Sequence, residues 1–354
     1  MKILVINPGS TSTKIAVYED EQEVFSKNIS HSREEISKFP KISDQLEFRK
    51  EIVLKAMEEA GFKISELSAI ACRGGNIRPV ESGVYSVSEK MVEELLSLKY
   101  GAHPSNLAAP IGFEIGRELN KPVFTVDHVV VDEMQKVAKI AGIKGIERHA
   151  KDHPLNQKAA AREVAKQLGK KYDECNFIVA HLGGGISVAS HRKGRIIDVN
   201  NALNGDGPFS PERAGNLPNI DLVEMCFSGN YTKEQIFSML AGKGGLVSHL
   251  GTNSLIEAEK MVQEGNDYAK LVFEAMVYQI AKEVGAHAAV LKGDVDAVVI
   301  TGGLAYSEML VQKLKDYISF IAPVFVVAGE HEMEALAKGV LRALKGEEEV
   351  KEYF

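Results

Sequence analysis

Three cysteines, Cys72, Cys175 and Cys226, are too few and wrongly spaced for a disulfide framework or a zinc site. Each lies in or beside an apolar run, where a free cysteine behaves as a small buried hydrophobe, and the usage fits a reducing compartment. No apolar stretch reaches membrane-spanning length; the run at 295–301 is only strand-sized. The N-terminus enters a strand pattern at once, with no basic, apolar and cleavable leader, so a cytoplasmic protein is expected. Positive charge is not in excess either. A formal net charge of −7 disfavours nucleic acid as a partner but leaves a local cationic site for a small anion open. The familiar phosphate-binding signatures GxxxxGK[ST] and GxGxxG are missing, as is a kinase catalytic loop. His331-Glu332 starts like a zinc-protease motif, but Ala335 stands where the second histidine would be.

What is present is a soluble composition, 45% hydrophobic and 26% charged, in 354 residues, which suits two domains better than one. Strand patterns at 2–6, 14–18, 24–28, 67–72 and Val123–Val126 alternate with helical patterns at 44–60, 88–97 and 107–119. The second half has helical patterns at 155–168, 222–227, Lys233–Leu240, 255–264 and 269–291. Strands at 297–301 and 324–327 then precede a helix at 333–344. Thr232 and Gln235 form a capping box, and 345–351 reads as a solvated charged tail. This alternation is the mark of an α/β protein.

One pattern occurs twice. MKILVINPGSTSTKIAVYED at 1–20 is a strand, a small-residue turn and a second strand; FIVAHLGGGISVASHRKGRIID at 177–198 repeats it and adds a third strand at 196–199. Two halves that open on the same hairpin suggest a duplicated domain. Three small-residue turns follow apolar strands, at 7–13, 181–187 and 301–304. Glycines there let backbone approach phosphate, and hydroxyls and amides donate to its oxygens. Arg73 and Arg213 sit in glycine-rich loops, where a guanidinium suits carboxylate or phosphate, though a loop arginine can equally be solvated. Asp127 ends a strand and Glu332 opens a helix; either could hold Mg²⁺ or cap the helix. His153, before Pro154, is compatible with a site role and with capping.

The segments ACRGG, VDHVVVDE, HPLNQKAAAR, HLGGGISVA, NNALNGDGPFSPERAG, GLVSHLGTN and ITGGLAYSE follow the N-terminal hairpin in order. Together they resemble the acetokinase family from Met1 to about residue 344, in the form of its butyrate kinases rather than its acetate kinases. The resemblance implies the duplicated actin-like ATPase fold, two βββαβαβα domains with an interdomain cleft. The implied halves are 1–126, completed by 333–354, and 127–332, the latter binding nucleotide. It implies reversible in-line transfer of the ATP γ-phosphoryl group to a short-chain fatty-acid carboxylate, giving an acyl phosphate and ADP, with Mg²⁺. It also implies a homo-oligomer, at least a dimer.

Residue by residue, the resemblance implies catalytic roles for Arg73, Asp127, His153 and Arg213. Nucleotide contacts are implied for Asn7, Ser10, Ser12, Lys14, His181, Gly183, Gly184, Gly185, Gly302, Gly303 and Ser307, and metal contacts for Asn7, Asp127 and Glu332. Four positions depart from acetate kinases: Gln157 replaces a second histidine, Ser254 and Ile256 replace charged residues in the purine loop, and Asp152 replaces an aromatic residue. Within the same superfamily a sugar kinase would need a carboxylate base for its hydroxyl. An actin-like or chaperone-like ATPase would hydrolyse ATP slowly without an acceptor.

Overall fold

The computed structural model describes every residue, Met1 to Phe354. It contains two compact units, Met1–Val131 with His331–Phe354, and Asp132–Glu330.

In the first unit, the apolar run that opens the chain becomes the central strand β1 (Lys2–Pro8), with Ile3 to Ile6 fully buried. A strand covered on both faces needs such a continuous run. An antiparallel meander continues through β2 (Ser12–Glu19) to the exposed edge strand β3 (Gln22–Ser30). On the other side β4 (Ala69–Arg73) runs parallel to β1, and β6 (Val123–Val126) parallel to β4. Beyond β6 lie β5 (Val84–Ser86) and the last strand of the chain, β12 (Val350–Lys351). Helices Leu46–Glu59 and Ala108–Leu119 bring Val53, Met57, Ile111 and Ile115 onto Leu4, Ile6 and Ile70. Helix Glu332–Leu344 packs on β1, β4 and β6. Gly339 allows its approach, since a Cβ there would fall 2.6 Å from Val126.

The second unit repeats the plan. Strands β7 (Asn176–Leu182), β8 (Ile186–Arg192) and β9 (Arg195–Val199) form the meander. β10 (Ala297–Gly302) lies parallel to β7, and β11 (Val324–Ala328) parallel to β10. The order β9-β8-β7-β10-β11 matches β3-β2-β1-β4-β6, and both meanders slip register between their second and third strands. This is a duplicated actin-like fold. Helix Asp267–Val290 lays Phe273, Met276, Ile280 and Val284 on one face, and helix Pro154–Gln167 lays Ala160, Ala161 and Val164 on the other.

Two expectations are corrected. The charged run at 345–351 is no solvated tail: Val350–Lys351 pairs with β5, and Tyr353 is buried under the Arg78 guanidinium, 4.7 Å from its ring centroid. A two-residue strand has no periodicity to read, and its anchor lies beyond the charged run. Cys226 is exposed, unlike Cys72 and Cys175, because helix Asn219–Phe227 buries none of its residues. Strand β5 and helices Arg33–Ser37, Gly245–Leu250 and Glu308–Ile318 have no counterpart among the sequence patterns. The Thr232–Gln235 capping box is present. No helix is long and apolar enough to cross a membrane.

Candidate active site

The turn between β1 and β2 is closed by the Gly9 amide donating to the Ser12 carbonyl at 2.8 Å, while Asn7 pairs with Lys14 across the ladder. Beneath it lies Arg49, fully buried. Its Nη1 donates to the Ser12 carbonyl (2.9 Å) and Thr13 Oγ1 (3.0 Å), and its Nε to Gln45 (3.0 Å). Nη2 has no partner. Burial lowers the guanidinium to about 10, which leaves it charged at neutral pH. Thr13 also bonds His31 at 2.8 Å. Sequence reasoning missed Arg49, since an arginine within a helix usually reads as a solvated position. The available signal was its spacing, as it lies in line with Val53 and Met57 on the apolar stripe.

A cavity of about 440 Å³ opens beside this turn. Asn7, Ser12, Lys14, Arg73 and Glu332 supply much of its polar wall, and Pro8 and Val129 apolar surface. Glu332 joins two of these groups: Asn7 Nδ2 donates to Oε2 at 2.9 Å, and Arg73 Nη2 meets Oε1 at 2.9 Å. Arg73 Nη1 is buried without a partner. His103, also in the wall, accepts the Ser105 amide on Nδ1 at 3.2 Å; desolvation first and then Arg73 lower its titration.

Asp127 stands apart from this cavity wall. It adopts a left-handed φ of 39°, is 2% exposed, and accepts the Gly83 amide on Oδ1 at 2.8 Å. Of the three expected metal ligands, the structure therefore brings Asn7 and Glu332 together. One carboxylate and one amide fit a Mg²⁺ held mainly through nucleotide phosphates and water. No group of three or more His, Cys, Asp or Glu side chains forms a cation cage.

In the second unit, His153 precedes helix Pro154–Gln167 but makes no capping bond with its side chain. Its Nδ1 is instead 2.9 Å from Ser187 Oγ, and its ring stacks on His181 at 3.8 Å with 10° between planes. Asn156 donates to His181 Nδ1 at 2.9 Å, which places the His181 proton on Nε2. That Nε2 is buried, 3.5 Å from Glu330 and without a hydrogen-bond partner. The Gly183–Gly185 turn, closed by a 3.2 Å backbone bond, follows at the end of β7. At Gly302, φ is +90° and a Cβ would lie 2.4 Å from the Leu182 carbonyl, so only glycine fits between β10 and β7. Gly303 starts the short turn that follows.

Arg213 Nη1 is 3.0 Å from Glu212, whose other oxygen accepts Asn253 Nδ2 at 2.7 Å. The Asn253 amide and Arg213 hold the Glu212 carboxyl below its usual range. Arg213 Nε is buried without a partner. Ser307 caps helix Glu308–Ile318 and donates to Glu259, and Ser254 caps helix Leu255–Gln263. Ile256 is 80% exposed. Both oxygens of Asp152 are buried without partners, and desolvation pushes its carboxyl up to about 7.

A sequence model described as the acetokinase family matches residues 136–322. Among solved structures, acetate kinase from Porphyromonas gingivalis is similar at 19% identity and TM-score 0.79, over 96% of this chain and 98% of that one. A propionate kinase from Francisella tularensis is similar at 20% identity and TM-score 0.74, again over 96% and 98%. A ROK family protein from Streptococcus pneumoniae, in complex with sucrose, is more distant, at 12% identity and TM-score 0.54 over 98% and 100%.

Proposed function

The chain belongs to the acetokinase family and is a carboxylate kinase, and on that premise we propose that it phosphorylates short-chain fatty acids, butyrate foremost, with ATP. The reverse reaction makes ATP from butanoyl phosphate and ADP. The observation that carries the reading is a feature shared by Arg73 and Arg213. Each guanidinium is braced by a glutamate, Glu332 or Glu212, and keeps one buried nitrogen without a partner. A buried donor left unpaired is costly, and an anionic ligand would relieve that cost. Guanidinium forks match carboxylate and phosphoryl oxygens.

A carboxylate is already ionised at neutral pH, so it attacks without a general base. The barrier is electrostatic, because an anion must approach a polyanion. Positioning and charge neutralisation therefore supply the catalysis. In this mechanism Arg73 and Arg213 orient the carboxylate and the transferring phosphoryl group, and His153 donates a hydrogen bond to the latter. Lys14, Ser10 and Ser12 serve the phosphates, with Arg49 adding positive potential under their turn. His181, Gly183, Gly184, Gly185, Gly302 and Gly303 serve the nucleotide, and Ser307 helps fix that wall. Asn7 and Glu332 would hold Mg²⁺, which neutralises phosphate charge when bound with ATP. Asp127, with one oxygen on the Gly83 amide, orders the strand end rather than removing a proton.

Pro8 and Val129 are the apolar groups beside Arg73 and the candidates for contact with the acyl chain. The names of the acetate and propionate kinases above support a short acid. The butyrate preference rests on the motif forms, Gln157 above all. Acyl-hydroxamate formation from MgATP across formate, acetate, propionate, butyrate, isobutyrate and isovalerate tests it through kcat/KM. A maximum at four or five carbons is expected. A maximum at acetate would overturn the butyrate preference and leave the chemistry. Hydroxamate from none of them, with ATP still bound, would overturn the function.

A further inference from the structure

Behind His153 runs a chain of polar side chains. Tyr172 Oη lies 2.7 Å from His191 Nδ1, and His191 Nε2 lies 2.9 Å from Gln157 Oε1. Gln157 Nε2 donates to Ser187 Oγ at 2.8 Å, and Ser187 Oγ lies 2.9 Å from His153 Nδ1. Gln157, Ser187 and His191 are fully buried, and Tyr172 is nearly so. Four adjoining polar groups in a core are costly unless every donor meets an acceptor.

Gln157 gives the chain a direction, because an amide has one accepting end and one donating end. Its carbonyl faces His191, so His191 carries its proton on Nε2. Burial first, then Lys158, His287 and Arg162, hold His191 well below the ordinary histidine range, so the ring is neutral. Its Nδ1 is then an acceptor, and Tyr172 donates to it. At the other end the Gln157 amide occupies one lone pair of Ser187. The serine proton then has one acceptor, His153 Nδ1. A proton on His153 Nδ1 would leave the serine hydroxyl without an acceptor in a dry site.

We propose that Tyr172, His191, Gln157 and Ser187 are positioning residues that hold His153 as its neutral Nε2–H tautomer, so that the ring meets the phosphoryl group as a fixed donor. No proton is transferred; the histidine keeps its hydrogen throughout. The catalytic part of this inference rests on the function proposed above, but the tautomer does not. His181, stacked on His153, is set the same way by Asn156, so two parallel rings present the same nitrogen as donor. Glu330 faces His181 at 3.5 Å, and Asp152 directly precedes His153.

The test is nitrogen NMR of the full-length protein labelled with ¹⁵N-histidine, with His153 assigned from the signal lost in His153→Gln. A protonated Nε2 and an unprotonated Nδ1 are expected. Gln157→Glu presents acceptors at both ends. Ser187 then donates to the introduced carboxylate, its oxygen accepts from His153, and the proton moves to Nδ1. With it, kcat should fall about tenfold or more while KM for MgATP stays within about twofold. Should the buried carboxylate prevent folding, Ser187→Ala removes the last link and should abolish the tautomer preference. A wild-type His153 protonated on Nδ1 overturns the proposal, as does an unchanged tautomer in the folded variants. Failure to phosphorylate any acid overturns the function above and leaves the tautomer result standing.

Discussion

At the residue scale, the proposed chemistry rests on two arginines. Each is held by one carboxylate and keeps an unpartnered nitrogen, so its position is set before any ligand arrives. Arg73→Ala and Arg213→Ala should each lower kcat/KM about a hundredfold or more with unchanged circular dichroism, the scale seen when a fixed transition-state donor is removed. Near wild-type kinetics in either folded variant would remove that residue from the mechanism. Both arginines stood out in the sequence because they sit in glycine-rich loops. Their bracing glutamates did not. Glu332 is 259 positions from Arg73 in the chain, and no local pattern joins them.

At the element scale, the hairpin turns were legible and their supports were not. Strands β1 and β7 show as apolar runs, and the small residues after them announce tight turns. Arg49 belongs to a helix remote in sequence, and its contact with the Ser12 carbonyl exists only after packing. Arg49→Met tests that support. The variant leaves the Ser12 carbonyl and the Gln45 side-chain oxygen without the Arg49 donor, so stability should fall by about 1–3 kcal/mol, a loss the fold should survive. KM for MgATP should also rise about tenfold as the turn loosens and a positive charge is lost. Unchanged KM would make Arg49 a packing residue alone. Strand β5 escaped because it has only three residues, whereas helix Glu308–Ile318 carried a readable stripe, Leu310, Leu314 and Ile318 at i, i+4 and i+8 behind the Ser307 cap.

At the scale of the whole molecule, burial of titratable groups ties stability to pH. Folded His191 and His287 resist protonation, His287 down to about 3, whereas the unfolded chain takes up those protons near 6.5. The His287 contribution is complete above that value and declines as pH falls, by about 2 kcal/mol at pH 5, and that of His191 declines in the same direction. Asp152 acts in the opposite sense. Its folded carboxyl titrates near 7 and its unfolded one near 3.8, so acid relieves a cost worth about 2 kcal/mol between pH 7 and pH 5. Asp152→Asn removes that relief. Urea unfolding should show a stability loss between pH 7 and pH 5 that is steeper in the variant by about that amount. Equal slopes would mean that Asp152 is solvated or paired in the folded protein.

Sequence alone determined the α/β alternation, because runs of buried apolar residues and the turns that end them are local, and its resemblance to the acetokinase family carried the duplication that the repeated hairpin only suggested. It also marked the candidate residues, since their motifs are contiguous. Tertiary structure decided which groups meet. It joined Asn7, Arg73 and Glu332, set Arg49 under the first turn, and gave His153 to Ser187 rather than to its own helix. Those contacts link residues 34 to 325 positions apart. Chain folding creates such contacts, and no period of 2 or 3.6 residues encodes them.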